Sequence, residues 1–165
     1  PGRAKARAQA VSMRIDYNKA APAGIKALGG VYGYLTQCGL SAQLIELVYL
    51  RISQINGGAY CLDMHTRSLR KMGVKIEKLA LLQVWHEAEA LFDAEKRAAL
   101  AWAETVTRVA QTAIPDQDYQ AARAVFNEKQ LVDLTIAIGL MNTYNRIAIG
   151  FRNPPQAVVE HSAAA

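Results

Sequence analysis

SAQLIELVYLRISQINGGAYCLDMHTRSLRKMG, residues Ser41 to Gly73, reads as two helices joined by a glycine pair. Ser41 is a hydroxyl N-cap, and Leu44, Ile45, Val48 and Ile52 recur at the three- and four-residue spacing of a buried helical stripe reaching Ile55 or Asn56. Gly57-Gly58 breaks that helix. The next begins near Ala59, carries Cys61, Met64, His65 and Leu69, and closes at Gly73 in a left-handed cap.

The same punctuation continues on both sides. Pro22 opens a helix that runs to about Cys38, with Gly39 just past its end and Gly29-Gly30 weakening its middle. Lys75 to about Ala90 makes a fourth helix, Asp93 caps a fifth reaching about Gln111, and Pro115-Asp116 opens a sixth ending near Phe126. Asn127 with Gln130 forms a capping box for a long last helix, Glu128 to Gly150, stopped before Pro154-Pro155. No window alternates strictly, so the expected fold is all-α, about seven helices with no significant β-sheet.

Length and composition agree with one globular domain: 165 residues, 52% hydrophobic and 20% charged. A chain of this length buries roughly 70% of its unfolded surface, so Cys38 and Cys61 need not be disulfide staples. No apolar run approaches the roughly 20 residues of a membrane span. Three of the five net positive charges sit on Arg3, Lys5 and Arg7, ahead of Met13, and elsewhere basic residues alternate with acidic ones, as in Glu95-Lys96-Arg97. With neither an aromatic platform nor a recognition motif, no nucleic-acid partner is expected. Residues 1–12 read as a flexible basic tail, native or left from cloning; residues 13–156 as the domain; residues 157–165 as a second flexible tail.

The chemistry concentrates in the opening segment. Cys61 and His65, four apart on a helix, stack on one face. Cys61 lies in the first helical turn, where free amide N–H groups and the dipole favour a thiolate, and the histidine relays a proton. Glu46, on the preceding helix, orients that histidine or acts as a base if the two helices pack antiparallel. The plainer alternative also fits these residues: a buried free cysteine and a satisfied core histidine. Cys38, near a helix C-terminus, reads as structural, and His86 and His161 receive no role. Cys61, His65 and Glu46 with a water make a conceivable zinc set, but too few further ligands lie nearby, and no metal is expected.

Glu46 to Thr66, ELVYLRISQINGGAYCLDMHT, resembles the signature of the alkylhydroperoxidase D-like proteins of the carboxymuconolactone decarboxylase superfamily. In its redox members a glutamate is followed twelve residues later by CxxC, and a histidine follows four residues after the second cysteine. The resemblance extends through Met13 to Tyr17, Leu91-Phe92, Ala98 to Glu104, and Asn142 to Pro155. It implies an all-helical homo-oligomer that reduces hydroperoxides with electrons from a thiol or dithiol. Cys61, Glu46 and His65 match the second cysteine, the glutamate and the histidine, whereas Gly58 replaces the first cysteine. An oxidised Cys61 then needs resolution by Cys38, another subunit or a small thiol, and peroxidase activity is expected to be impaired or altered. The alternatives are a lyase acting on an acidic lactone and a non-catalytic helical oligomer. No organic cofactor is implied, and the expected location is the cytoplasm.

Overall fold

The computed structural model describes residues 12–164, so the expected amino-terminal tail lies, Ser12 apart, outside the described residues. These form α1 (Tyr17–Ala20), α2 (Pro22–Leu35), α3 (Ala42–Asn56), α4 (Ala59–Lys71), α5 (Ile76–Leu81), α6 (Ala94–Thr107), α7 (Val109–Thr112), α8 (Asp116–Arg123), α9 (Glu128–Gly150) and α10 (Gln156–Ala164). Two 3-10 segments, Leu82–Glu87 and Glu89–Leu91, join α5 to α6, and no β-strand occurs among the described residues.

The caps dictate the boundaries of the central helices. The Ser41 side chain accepts the amide of Leu44 at 3.1 Å, and Gly57, in left-handed conformation at φ 69°, ends α3. Asn127 and Gln130 form the expected reciprocal capping box on α9. α3 differs from a surface helix: every residue from Leu44 to Ser53 is buried. One of its faces, with Ile45, Val48 and Ile52, shares a cluster with Leu134, Ile138 and Met141 of α9. The other, with Leu47 and Leu50, packs among Leu69, Leu82, Trp85, Phe92 and Leu100. Leu47 is fully enclosed, so Leu47→Ala costs about 3 kcal/mol in lost burial plus cavity.

The short helices account for most of the difference from about seven. The fourth helix does not continue to Ala90 but tightens to 3-10 geometry at Leu82, with Val84 non-helical. Leu79, Leu82 and Trp85 are all buried, and a three-residue turn brings residues three apart onto one face. α2 ends at Leu35 because Thr36 and Cys38 side chains bond the carbonyls of Gly33 and Leu35. The fifth helix breaks at Arg108, where Thr112 Oγ1 donates to the Thr105 carbonyl at 2.7 Å. The carboxy-terminal segment, expected as a tail, is the helix α10: Asp63 Oδ2 accepts the Ala157 amide at 2.9 Å, and Arg67 reaches Glu160 at 3.0 Å.

Candidate functional site

A charged residue in a helix buried on all sides needs a partner, because an unpaired buried charge is strongly destabilising. α3 carries two, Glu46 and Arg51. Arg51 Nε meets Glu104 Oε1 at 2.7 Å, and the Trp85 indole N–H donates to the same oxygen at 2.9 Å. Burial alone would raise the Glu104 carboxyl, but the hydrogen bonds from Arg51 and Trp85 overcome it and hold the group below the usual carboxylate range. His86 adds a contact of 3.3 Å to Glu104 Oε2, so this histidine joins the structural network.

Glu46 finds its partner across the glycine turn. α4 packs on α3, and His65 Nδ1 lies 2.7 Å from Glu46 Oε2, with the two residues only 1% and 7% exposed. Glu46 and His65, both singled out in the sequence, are thus brought into direct contact. An ionised carboxylate can only accept, so Nδ1 carries the hydrogen of this contact, and the other ring nitrogen accepts when the ring is neutral and donates when it is protonated. That nitrogen, Nε2, is buried with no hydrogen-bond partner. The Tyr49 ring lies 5.2 Å from the imidazole, and its hydroxyl is also buried without a partner.

His65 and Cys61 line one cavity of about 330 Å³, walled in part by Tyr17, Tyr32, Tyr60 and Tyr144. Tyr17 is held there by Asn153, whose amide donates to the phenolic oxygen at 2.7 Å. Cys61 occupies the third position of α4 and is 2% exposed. Burial pushes its thiol up, and a hydrogen bond from the Asn145 side chain only partly offsets this. The expectation of a resting thiolate is therefore corrected: enclosure of the sulfur outweighs the helix N-terminus. Deprotonation requires a base, and His65 lines the same cavity.

Asn145 is the site residue that the sequence reading missed. It is fully buried on α9; its oxygen accepts from Asn56 Nδ2 at 2.9 Å, and its amide donates to Ser53 Oγ at 3.1 Å. The oxygen bond fixes the amide flip, turning the NH2 group toward α3 and the sulfur. The available signal was Asn142 and Asn145 spaced by one turn in an otherwise apolar helix.

Gly58, the N-cap of α4, has φ −87° and ψ 96°, a conformation open to any residue. A Cβ built there meets Asn145 Nδ2 at 3.3 Å and Ile149 Cδ1 at 3.6 Å. Cys38 is half-buried, its Sγ donates to the Leu35 carbonyl at 3.2 Å, and it does not line the cavity of Cys61. Both cysteines are free. Among the described residues, no group of three or more His, Cys, Asp and Glu is placed to hold a metal ion, and no helix is long and apolar enough to cross a membrane.

Comparison with known proteins places this site in context. Residues 22–105 match the model of the carboxymuconolactone decarboxylase family. The uncharacterized protein YdfG of Bacillus subtilis (strain 168) is 36% identical over 143 residues, which span 87% of this chain and 97% of that protein. A crystal structure from Agrobacterium tumefaciens, of a protein of unknown function provisionally named as the antioxidant defence protein AhpD, superposes with TM-score 0.83 at 40% identity. It covers 87% of this chain and 98% of that one. An uncharacterized peroxidase-related protein from Silicibacter sp. TM1040 gives TM-score 0.71 at 27% identity, over 80% of this chain and 70% of that one. An alkylhydroperoxidase AhpD core from Ralstonia eutropha JMP134, at 21% identity and TM-score 0.73 over 84% of this chain and 74% of that one, shares the fold. With its all-helical AhpD-like fold, the chain belongs to the carboxymuconolactone decarboxylase family.

Proposed function

We propose that the chain is a thiol-dependent hydroperoxidase in which Cys61 is the redox sulfur and the His65–Glu46 pair moves the proton. The observation that carries this reading is that Cys61 and His65 line one cavity, while His65 Nδ1 is tied to Glu46 at 2.7 Å and its Nε2 is buried without a partner. A histidine held by a carboxylate, with its second nitrogen unpartnered and a thiol in the same cavity, can serve as a general base.

The reaction follows from the chemistry of the groups. Nε2 takes the Cys61 proton through a bridging water or the hydroperoxide itself, and Glu46 stabilises the imidazolium that results. The thiolate attacks the terminal peroxide oxygen, the O–O bond breaks, and the departing alkoxide receives the proton from Nε2. Cys61 becomes a sulfenic acid and the hydroperoxide an alcohol. One external thiol condenses with the sulfenic acid, releasing water and leaving a mixed disulfide; a second thiol, or the other arm of a dithiol, restores Cys61. Gly58 removes the neighbouring thiol that would perform the first of these steps in place, so resolution falls to the external reductant. The chain works in a reducing compartment and as a homo-oligomer in this reading.

Hydroperoxide loss in the presence of dithiothreitol tests the proposal, with the chain compared to Cys61→Ser. Consumption that vanishes in Cys61→Ser is the expected result. Equal consumption by both, or none by either, refutes the assignment.

A further inference from the structure

Among the described residues, the cavity that joins Cys61 to His65 has no charged wall. Ile25, Met64, Met141 and Ile147 supply apolar surface and Asn18 and Asn153 neutral polar groups beside the four tyrosines; among the described residues no Lys, Arg, Asp or Glu side chain lines it. Several cations on the flanking elements are engaged elsewhere. Arg67 pairs with Asp63 and Glu160, Arg146 bonds Asn142, and Arg14 bonds the Gly150 carbonyl. Arg152 lines, with Gly58, an adjoining groove that shares Tyr60, Ala148 and Asn153 with this cavity, but is not itself in the cavity lining. The Glu46–His65 pair adds no net positive charge: while Glu46 is ionised, it carries zero or minus one.

An anionic group entering this space sheds its hydration and finds no counter-charge, whereas neutral ligands lose little. The tyrosine faces favour offset or edge-on contact with an aromatic ring, and the two methionines adapt to irregular apolar shapes. The volume of about 330 Å³ falls within the range of small-molecule sites. His65, which lines the cavity and is 99% buried, also has an unpartnered Nε2, which in the Nδ1–H tautomer a hydroxyl or hydroperoxyl group can fill by donating.

We infer that this cavity selects uncharged molecules bearing an aromatic or branched apolar group and one O–H donor, and rejects carboxylates. Resting on the function proposed above, the hydroperoxides it serves are neutral ones rather than hydroperoxy acids, and a lactone diacid is excluded by the same lack of counter-charge. The selectivity itself belongs to the cavity and can be read without any peroxide.

Cys61 reports on it directly. In a Cys38→Ser background, Cys61 is alkylated with neutral iodoacetamide and with anionic iodoacetate at one pH, and the ratio of rates is divided by the ratio in the denatured chain. This cancels the protonation state of the thiol. The expected preference for the neutral reagent grows by at least about tenfold on folding, given the cost of an unpaired buried charge. Met64 is 41% exposed at the cavity wall, so Met64→Lys places a cation there and is expected to return the ratio to the denatured value or below. In parallel, 2-phenyl-2-propanol is expected to slow labelling and benzoate to leave it unchanged. A native ratio equal to the denatured one, a ratio unmoved by Met64→Lys, protection by benzoate, or a sulfur that neither reagent reaches would each overturn the inference. Because no turnover is measured, failure of the peroxidase reading leaves these outcomes standing.

Discussion

Gly58→Cys tests how much of the proposed cycle is limited by the missing second thiol. The backbone at φ −87° and ψ 96° accepts the substitution without strain. The new Cβ lies 3.3 Å from Asn145 Nδ2, so that fully buried amide, tethered to Ser53 and Asn56, must give by a few tenths of an ångström. Such crowding costs about 1 kcal/mol, and removal of glycine's freedom in the unfolded chain offsets roughly 0.5–1 kcal/mol. The net stability change is thus within about 1 kcal/mol, or a Tm shift of about 4 °C at most. The N-cap and third helical positions are three apart; helical neighbours at that spacing hold Cβ atoms about 5–6 Å from each other, so a disulfide, which needs about 3.5–4.5 Å, requires the non-helical N-cap to move in by about 1–2 Å. Peroxide should therefore convert the variant to an intrahelical disulfide that dithiothreitol reduces, and turnover should rise at least about tenfold, as expected when an intermolecular step becomes intramolecular. Hydroperoxide loss, peptide mapping without reductant and a thermal melt read the three quantities. A disulfide that forms without any gain in turnover, or a Tm drop beyond about 10 °C, would refute the reasoning.

Three further outcomes follow from the same geometry. Glu46→Gln keeps an acceptor for His65 Nδ1 but removes the charge that stabilises the imidazolium, so Cys61 oxidation by hydroperoxide should slow by about a hundredfold in stopped-flow traces while the fold persists by circular dichroism. Burial holds the Cys61 thiol up, so iodoacetamide labelling should be slow at neutral pH and rise with a midpoint above the roughly 8.5 of free cysteine. Asn145→Ala removes the opposing hydrogen bond and should move that midpoint higher still. Glu104, whose folded value is depressed, contributes stability that is present above its unfolded value and lost as pH falls through the folded one. Urea melts should therefore weaken for the parent chain below about pH 4.3, whereas Glu104→Gln should lose about 3 kcal/mol at neutral pH by orphaning Arg51 and respond less to acid.

The central helices were legible because their signals are local. Ser41, Gly57 and the Asn127–Gln130 box fix backbone conformation within a few residues, and the structure places α3 and α9 where they direct. The pairing of Glu46 with His65 was legible only as a condition, since it requires α4 to fold back on α3. What could not be read is what depends on enclosure. That α3 is buried on every side follows from contacts with α4, α6 and α9, far apart in sequence, and this is what forces Arg51 onto Glu104. Enclosure also reverses the expected character of Cys61: the first turn of a helix favours a thiolate at a surface, but here the sulfur is shielded from water. The 3-10 segment after Leu81 reflects the three-residue spacing of Leu79, Leu82 and Trp85, visible in the sequence only once the face they share is known.

The most direct test of the account is the fate of the Cys61 sulfur after a single equivalent of a neutral organic hydroperoxide. In a Cys38→Ser chain, a sulfenic-acid trap followed by mass spectrometry should find the adduct on Cys61, forming at least about a hundredfold faster than in the same chain carrying His65→Ala. A Cys61 that reacts no faster than free cysteine at the same pH, or at a rate indifferent to His65, would contradict it.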